Sequence, residues 1–147
     1  MVAISDSLAW ELVKRNNSFM RKKNGQTRRS GAVTFSIERG NLMSKSSYKY
    51  SGLANSKSID ITATPDNRAA LTKKTKKAAS SGKSGNAVIA LNKDFRRVEN
   101  TIKSQATDNY YRPDLKSEAL AKYTVVYRAN RAAKGVKKAV PIKRGRA

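Results

Sequence analysis

The apolar residues of this chain follow two different periods. From Val33 to Glu38 they alternate with polar ones: Val33, Phe35 and Ile37 point one way, and Thr34, Ser36 and Glu38 the other. A period of two predicts a strand, and Gly40-Asn41 ends it. Ile59, Ile61 and Ala63 alternate with Asp60, Thr62 and Thr64 in the same manner, which predicts a second half-buried strand. Pro65-Asp66-Asn67 is a turn, and Ala69 to Thr75 returns as the hairpin partner. Ser18-Phe19-Met20 begins another extended segment, and Ser44 to Ser51 extends before Gly52 turns the chain. Ala87 to Leu91 is apolar but carries no decisive period.

Elsewhere the spacing is helical. Ser5-Asp6-Ser7 supplies cap chemistry before Leu8, Trp10, Leu12 and Val13, predicting a helix over roughly 6–15. It is too short to stand alone, so it must dock, with Trp10 as a core anchor. Phe95, Val98, Ile102 and Ala106 share one helical face behind a cap at Asn92 or Asp94. That helix must end near Asn109, because Arg112 precedes Pro113 and is pushed to extended geometry. Pro113-Asp114 restarts a helix whose apolar face is Leu115, Ala119, Tyr123, Val126 and Tyr127. The expected fold is α+β: a short N-terminal helix, an antiparallel sheet of about four strands, a C-terminal helical hairpin, and a basic loop and tail. Short turns between successive strands favour antiparallel pairing. Residues 1–131 form a single domain with a flexible basic loop at 73–87, and 132–147 form a basic tail.

Charge changes the picture most. The 147 residues hold 32 Lys and Arg against 10 Asp and Glu, a net +22. A compact domain with that charge repels itself and needs salt or a polyanion to offset the repulsion, and DNA, RNA and anionic membrane are the candidate partners. The basic residues recur in separate clusters: Arg21-Lys22-Lys23, Arg28-Arg29, Lys73-Lys74 with Lys76-Lys77, Arg96-Arg97, and the tail with Lys137-Lys138. A distributed pattern suits a domain wrapped by polyanion on several sides, whereas a helix-turn-helix reader concentrates its contacts on one helix. No apolar run approaches the ~20 residues that span a bilayer. The helix from Asp94 offers a membrane surface only Phe95 and modest aliphatics, and Met1 to Ile4 is too short and too poor in basic residues for a signal peptide.

The chain has no Cys and no His. Disulfides, zinc fingers and the commonest general base are therefore excluded, and neither a metal nor a cofactor is expected. Gly82-Lys83-Ser84 ends like a phosphate-binding loop, but Lys77 stands where that motif needs Gly, and no apolar strand leads in. The acids are scattered. Asp60, Asp66, Asp108 and Asp114 read as caps or ion-pair partners, so neither an enzyme nor a small-molecule substrate is expected.

Within 44–61 no acid precedes Asp60. Tyr48 and Tyr50 share a parity with Lys49 between them, so an extended segment projects both rings from one face. Aromatic faces stack on unpaired bases and lysines sit on phosphates, but the same pattern also fits a half-buried strand. The candidate RNA contacts here are Lys45, Tyr48, Lys49, Tyr50 and Lys57. The clusters above add Arg21, Lys22, Lys23, Arg28, Arg29, Lys73, Lys74, Lys76, Lys77, Arg96, Arg97, Lys137 and Lys138. Arg128 and Arg131 close the second helix. Arg112 fits RNA contact and a salt bridge to Asp108 or Asp114 equally well.

Three stretches, in order, carry a resemblance. They are Leu8-Ala9-Trp10 with Val13, Arg15, Asn16, Ser18 and Phe19; Ser47-Tyr48-Lys49-Tyr50-Ser51-Gly52-Leu53; and Asn109-Tyr110-Tyr111-Arg112-Pro113-Asp114-Leu115. Together they resemble the eukaryotic large-subunit ribosomal protein twenty-eight family over about 7–131. The resemblance implies a non-catalytic structural protein of the cytosolic ribosome, assembled in the nucleolus, with large-subunit ribosomal RNA and neighbouring ribosomal proteins as partners. A nucleolar assembly factor with a related domain is the competing assignment. It is expected to carry an acidic C-terminal extension, and this sequence ends in a basic tail. A DNA-binding or chromatin protein is the more distant alternative.

Overall fold

The computed structural model describes residues 4–24, 33–75 and 85–135, and the fold is α+β. In chain order the elements are α1 (Asp6–Val13), β1 (Met20–Asn24), β2 (Val33–Ser36), β3 (Ile59–Ala63), β4 (Ala69–Lys74), β5 (Asn86–Leu91), α2 (Phe95–Lys103) and α3 (Lys116–Ala133). The strands form two antiparallel sheets, β1–β2 and β3–β4–β5. The second edge of β2 is closed by the segment around Lys45. Ser36 N donates to the Ser44 carbonyl (2.9 Å), Ser46 N donates to the Thr34 carbonyl (2.8 Å), and Phe35 bridges Lys45. With that edge occupied, β3 founds a separate sheet.

The β3–β4 hairpin forms about the expected turn, with Ile61 opposite Leu71 and Ala63 opposite Ala69. Asn67 takes φ 53°, and Thr64 N donates to the Arg68 carbonyl. Ala87–Leu91, undecided by period, is strand β5, and it places Ile89 opposite Leu71. β4 runs to Lys74 and β5 starts at Asn86, so both ends of the expected loop 73–87 are strand. Thr75 donates a hydrogen bond to the Gly85 carbonyl across its base, and residues 76–84 lie outside the described residues.

The helical hairpin follows its sequence signals. α2 continues through a π-helical turn, Ser104–Asp108. Arg112 is then extended (φ −151°), and Pro113 opens a 3₁₀ turn, Pro113–Leu115, that leads into α3. Val98, Ile102 and Ala106 of this face are fully buried. They pack with Leu115, Ala119, Tyr123 and Val126 and with Ile59, Ile61, Leu71 and Leu91 of the larger sheet into one core. Phe95 lies at its rim, its ring centroid 5.6 Å from that of Tyr123 and 4.8 Å from that of Tyr127.

Two expectations about packing are corrected. Trp10 is half-buried outside the core, its ring 6.2 Å from that of Tyr48. α1 docks through polar contacts instead: Asp6 accepts from the backbone N–H and the hydroxyl of Ser56, both at 3.0 Å. The alternation of β2 holds, but its polar face is the inner one. Ser36 and Glu38 are 1% and 6% exposed, while Val33, Phe35 and Ile37 face outward. The reason is a buried carboxylate. Glu38 accepts hydrogen bonds from the Asn41 side chain (2.9 Å), the Ser51 hydroxyl (3.3 Å) and Leu53 N (3.3 Å). A carboxylate held by several donors tolerates burial.

Candidate nucleic-acid interface

Residues 38–58 are organised around Glu38. Gly40 (φ 82°) bends the chain out of β2, and its N–H donates to the half-buried Asp60 carboxylate at 3.2 Å. Burial pushes the Asp60 carboxyl above its ordinary range. Residues 44–46 pair with β2, but from Ser47 the chain coils rather than extends. Tyr50 N and Ser51 N both donate to the Ser47 carbonyl. The Asn55 amide then donates to the Tyr48 carbonyl (2.7 Å) and the Ser51 carbonyl (2.8 Å).

The parity expected of Tyr48 and Tyr50 therefore does not apply. Tyr48 is exposed beside Trp10. Tyr50 packs against the core, and its hydroxyl donates to Glu118 at 3.1 Å. Lys49 also donates to Glu118, at 2.7 Å. The ammonium of Lys49, with the Ser117 hydroxyl (2.7 Å), holds the Glu118 carboxyl down at about 2. The pair raises the Lys49 ammonium in turn.

A pH dependence follows. A carboxylate with a depressed folded-state pKa contributes stability that is present above its ordinary value and is lost as pH falls through the folded one. We expect the wild-type chain to lose thermal stability between pH about 4.5 and about 2 more steeply than Glu118→Gln. Circular-dichroism melts across that window measure it, and parallel curves would remove Glu118 from the acid transition.

Arg112 is engaged within the chain. Its guanidinium pairs with both Asp114 oxygens at 2.8 Å and donates to the carbonyls of Lys57 (2.8 Å) and Lys49 (2.7 Å). The pairing lowers the Asp114 carboxyl. One side chain thus ties the helix junction to the 49–57 segment. Beside it, Tyr111 donates to the Lys74 carbonyl at 2.6 Å, and burial raises its phenol. Lys57 and Lys73 stand over its ring at 5.8 and 5.9 Å. Lys73 also reaches Gln105 (2.8 Å), and Lys74 donates to the Asn55 carbonyl (3.0 Å).

The candidate cations therefore divide. Lys49, Lys73, Lys74 and Arg112 join parts of the fold. Arg21, Lys45, Lys57, Arg96, Arg97 and Arg128 are exposed, and Arg131 is half-buried over Tyr127. Lys22 and Lys23 lie on β1, but their side chains are outside the described residues. So are Arg28, Arg29, Lys76, Lys77, Lys137 and Lys138. Sequence reasoning missed Glu38 as an organising group, and it missed Arg68 and Lys93, which approach the end of α3. No local pattern joins residues so far apart. Among the described residues no cluster of metal-ligating side chains occurs, and no helix is long and apolar enough to cross a membrane.

The profile of the ribosomal L28e protein family matches residues 8–129. The chain belongs to the ribosomal L28e protein family. Among L28e relatives, a Dictyostelium discoideum protein named large ribosomal subunit protein eL28 is 34% identical over 131 residues, 89% of this chain and 92% of its own length. The Schizosaccharomyces pombe protein of that name is 26% identical over 137 residues, 92% of this chain and 99% of its own length. The Caenorhabditis elegans eL28 is 42% identical over 60 residues, 41% of this chain and 44% of its own length. The L28e match spans every described element from α1 nearly to the end of α3. The family is one of structural ribosomal proteins.

Proposed function

We propose that this chain is a structural constituent of the large subunit of the cytosolic ribosome, assembled in the nucleolus and holding ribosomal RNA through distributed cationic and aromatic side chains. The observation that carries the RNA reading is the spread of exposed cations over separate elements. Arg21 lies on β1, Lys45 beside β2, Lys57 before β3, Arg96 and Arg97 on α2, and Arg128 on α3. Among the described residues, only Lys14, Lys49, Lys103 and Arg112 make ion pairs. Uncompensated cations on many elements match an RNA that surrounds the domain, with phosphates giving most of the affinity. Tyr48, exposed beside Trp10, adds a face on which an unpaired base can stack. The outward face of β2, with Val33, Phe35 and Ile37, supports contact with neighbouring ribosomal proteins.

Sedimentation of tagged protein tests the assignment. It should travel with mature large subunits and polysomes. Confinement to pre-ribosomal particles would assign an assembly factor instead. A preference for duplex DNA over ribosomal RNA fragments would assign a chromatin protein. If about eight phosphates are neutralised, affinity falls with a log–log salt slope of about −6 to −7. Replacing Arg96 and Arg97 by Gln removes exposed charge opposite the buried face of α2. It should make that slope shallower by about 1.5–2 without changing the melting temperature. An unchanged slope in filter-binding titrations would remove these two arginines from the interface.

A further inference from the structure

We infer that the end of α3 carries a pocket for one unpaired nucleotide of RNA, an inference that rests on the RNA-binding reading above. Tyr127 and Arg131 stand one turn apart on α3, with the guanidinium carbon 5.9 Å from the ring centroid. They form a ridge shared by two neighbouring clefts of about 320 and 340 Å³. Around the first, Arg68 comes from the β3–β4 turn, Lys93 from the link between β5 and α2, Asn130 and Arg131 from α3, and Lys134 from its C-cap. Among the described residues no carboxylate lines it.

Cations at a helix C-terminus are favoured by its exposed carbonyls alone, which would explain Arg131 and Lys134. It does not explain Arg68 and Lys93, which belong to other segments and converge on the same cleft. Both are exposed, so the fold gains nothing by burying them. The size sets the class of ligand. A cleft of this volume lies at the small end of the roughly 300–1,000 Å³ range of small-molecule pockets, so it admits a nucleotide and not a helix. Duplex RNA would meet the cations but leave the Tyr127–Arg131 ridge unused. An unstacked nucleotide uses both features: its base lies on the aromatic and guanidinium planes, and its phosphates lie among Arg68, Lys93 and Lys134. Asn130, 7% exposed in the wall, offers an amide with donor and acceptor for a base edge.

The test uses the full chain and two short RNA hairpins, identical except that one carries a single bulged 2-aminopurine. The bulged hairpin should bind about 10-fold more tightly, with its fluorescence quenched by stacking. The double variant Arg68→Glu, Lys93→Glu should lose that preference while still binding the paired hairpin. Tyr127→Leu should lose the quench. Equal affinity for the two hairpins, or a preference that survives in both variants, would overturn the pocket and leave the RNA-binding reading standing. Failure to bind either hairpin would overturn both. Adenosine monophosphate competing as well as the bulged hairpin would assign the cleft to a free nucleotide and overturn the inference.

Discussion

Gly52→Ala is expected to lower stability by about 3 kcal/mol, the upper part of the range for overpacking a close contact. A Cβ at this position would lie 1.9 Å from the Arg39 carbonyl oxygen and 2.9 Å from both the Arg39 carbonyl carbon and the Gly40 Cα. All three neighbours are backbone atoms, so no side-chain rotation relieves the clash. The two backbones approach because Glu38 draws Ser51 and Leu53 toward the end of β2. Gly52 is 52 residues into the chain yet acts as a spacer between segments, not as a conformational joint. In a chain of this size the melting temperature should fall by roughly 10 °C. A fall of only one or two degrees would mean that residues 38–40 and 51–53 separate at little cost.

Glu38→Ala is expected to have a comparable or larger effect, about 4 kcal/mol. It removes the acceptor of three hydrogen bonds, two of them buried and one part-buried, and each buried unpaired donor costs on the order of 1–3 kcal/mol. The donors are the Asn41 amide, the Ser51 hydroxyl and Leu53 N. Against a typical total of about 5–15 kcal/mol, that is a large share of the stability. Glu38→Gln keeps one acceptor oxygen but turns an N–H₂ toward the remaining donors, so its cost should fall between wild type and Glu38→Ala. Urea denaturation of the three proteins measures the series. RNA affinity should fall in the same order, because Lys45 and Tyr48 are placed by the segment that Glu38 holds. A loss below about 1 kcal/mol in Glu38→Ala would show that water replaces the carboxylate.

The α2–α3 hairpin was legible because its determinants are local: an apolar face at helical spacing, an Arg-Pro step that stops one helix, and Pro113 that starts the next. The β3–β4 hairpin was legible from its alternation and the Pro65-Asp66-Asn67 turn. The alternation of β2 correctly grouped Val33, Phe35 and Ile37 on one face, but a period of two is symmetric and does not say which face turns inward. The donors around Glu38 decided that. The site was less legible still. Parity placed Tyr48 and Tyr50 together only for an extended chain, and the turns that begin at Ser47 separate them. Charge counting treated Lys49, Lys74, Arg112 and Arg96 alike, although three of them bond within the fold.

Composition, caps and periodicity act over a few residues, and they were enough for the α+β class, the placement of the helices, the family and the strongly cationic character. Packing settled that the polar face of β2 is the inner one, that Tyr50 turns toward the core while Tyr48 stays outside, and which cations hold the fold together. Those outcomes depend on partners such as Lys49 and Glu118, 69 residues apart. Contacts at that separation are set by how the elements pack, and no local pattern encodes them.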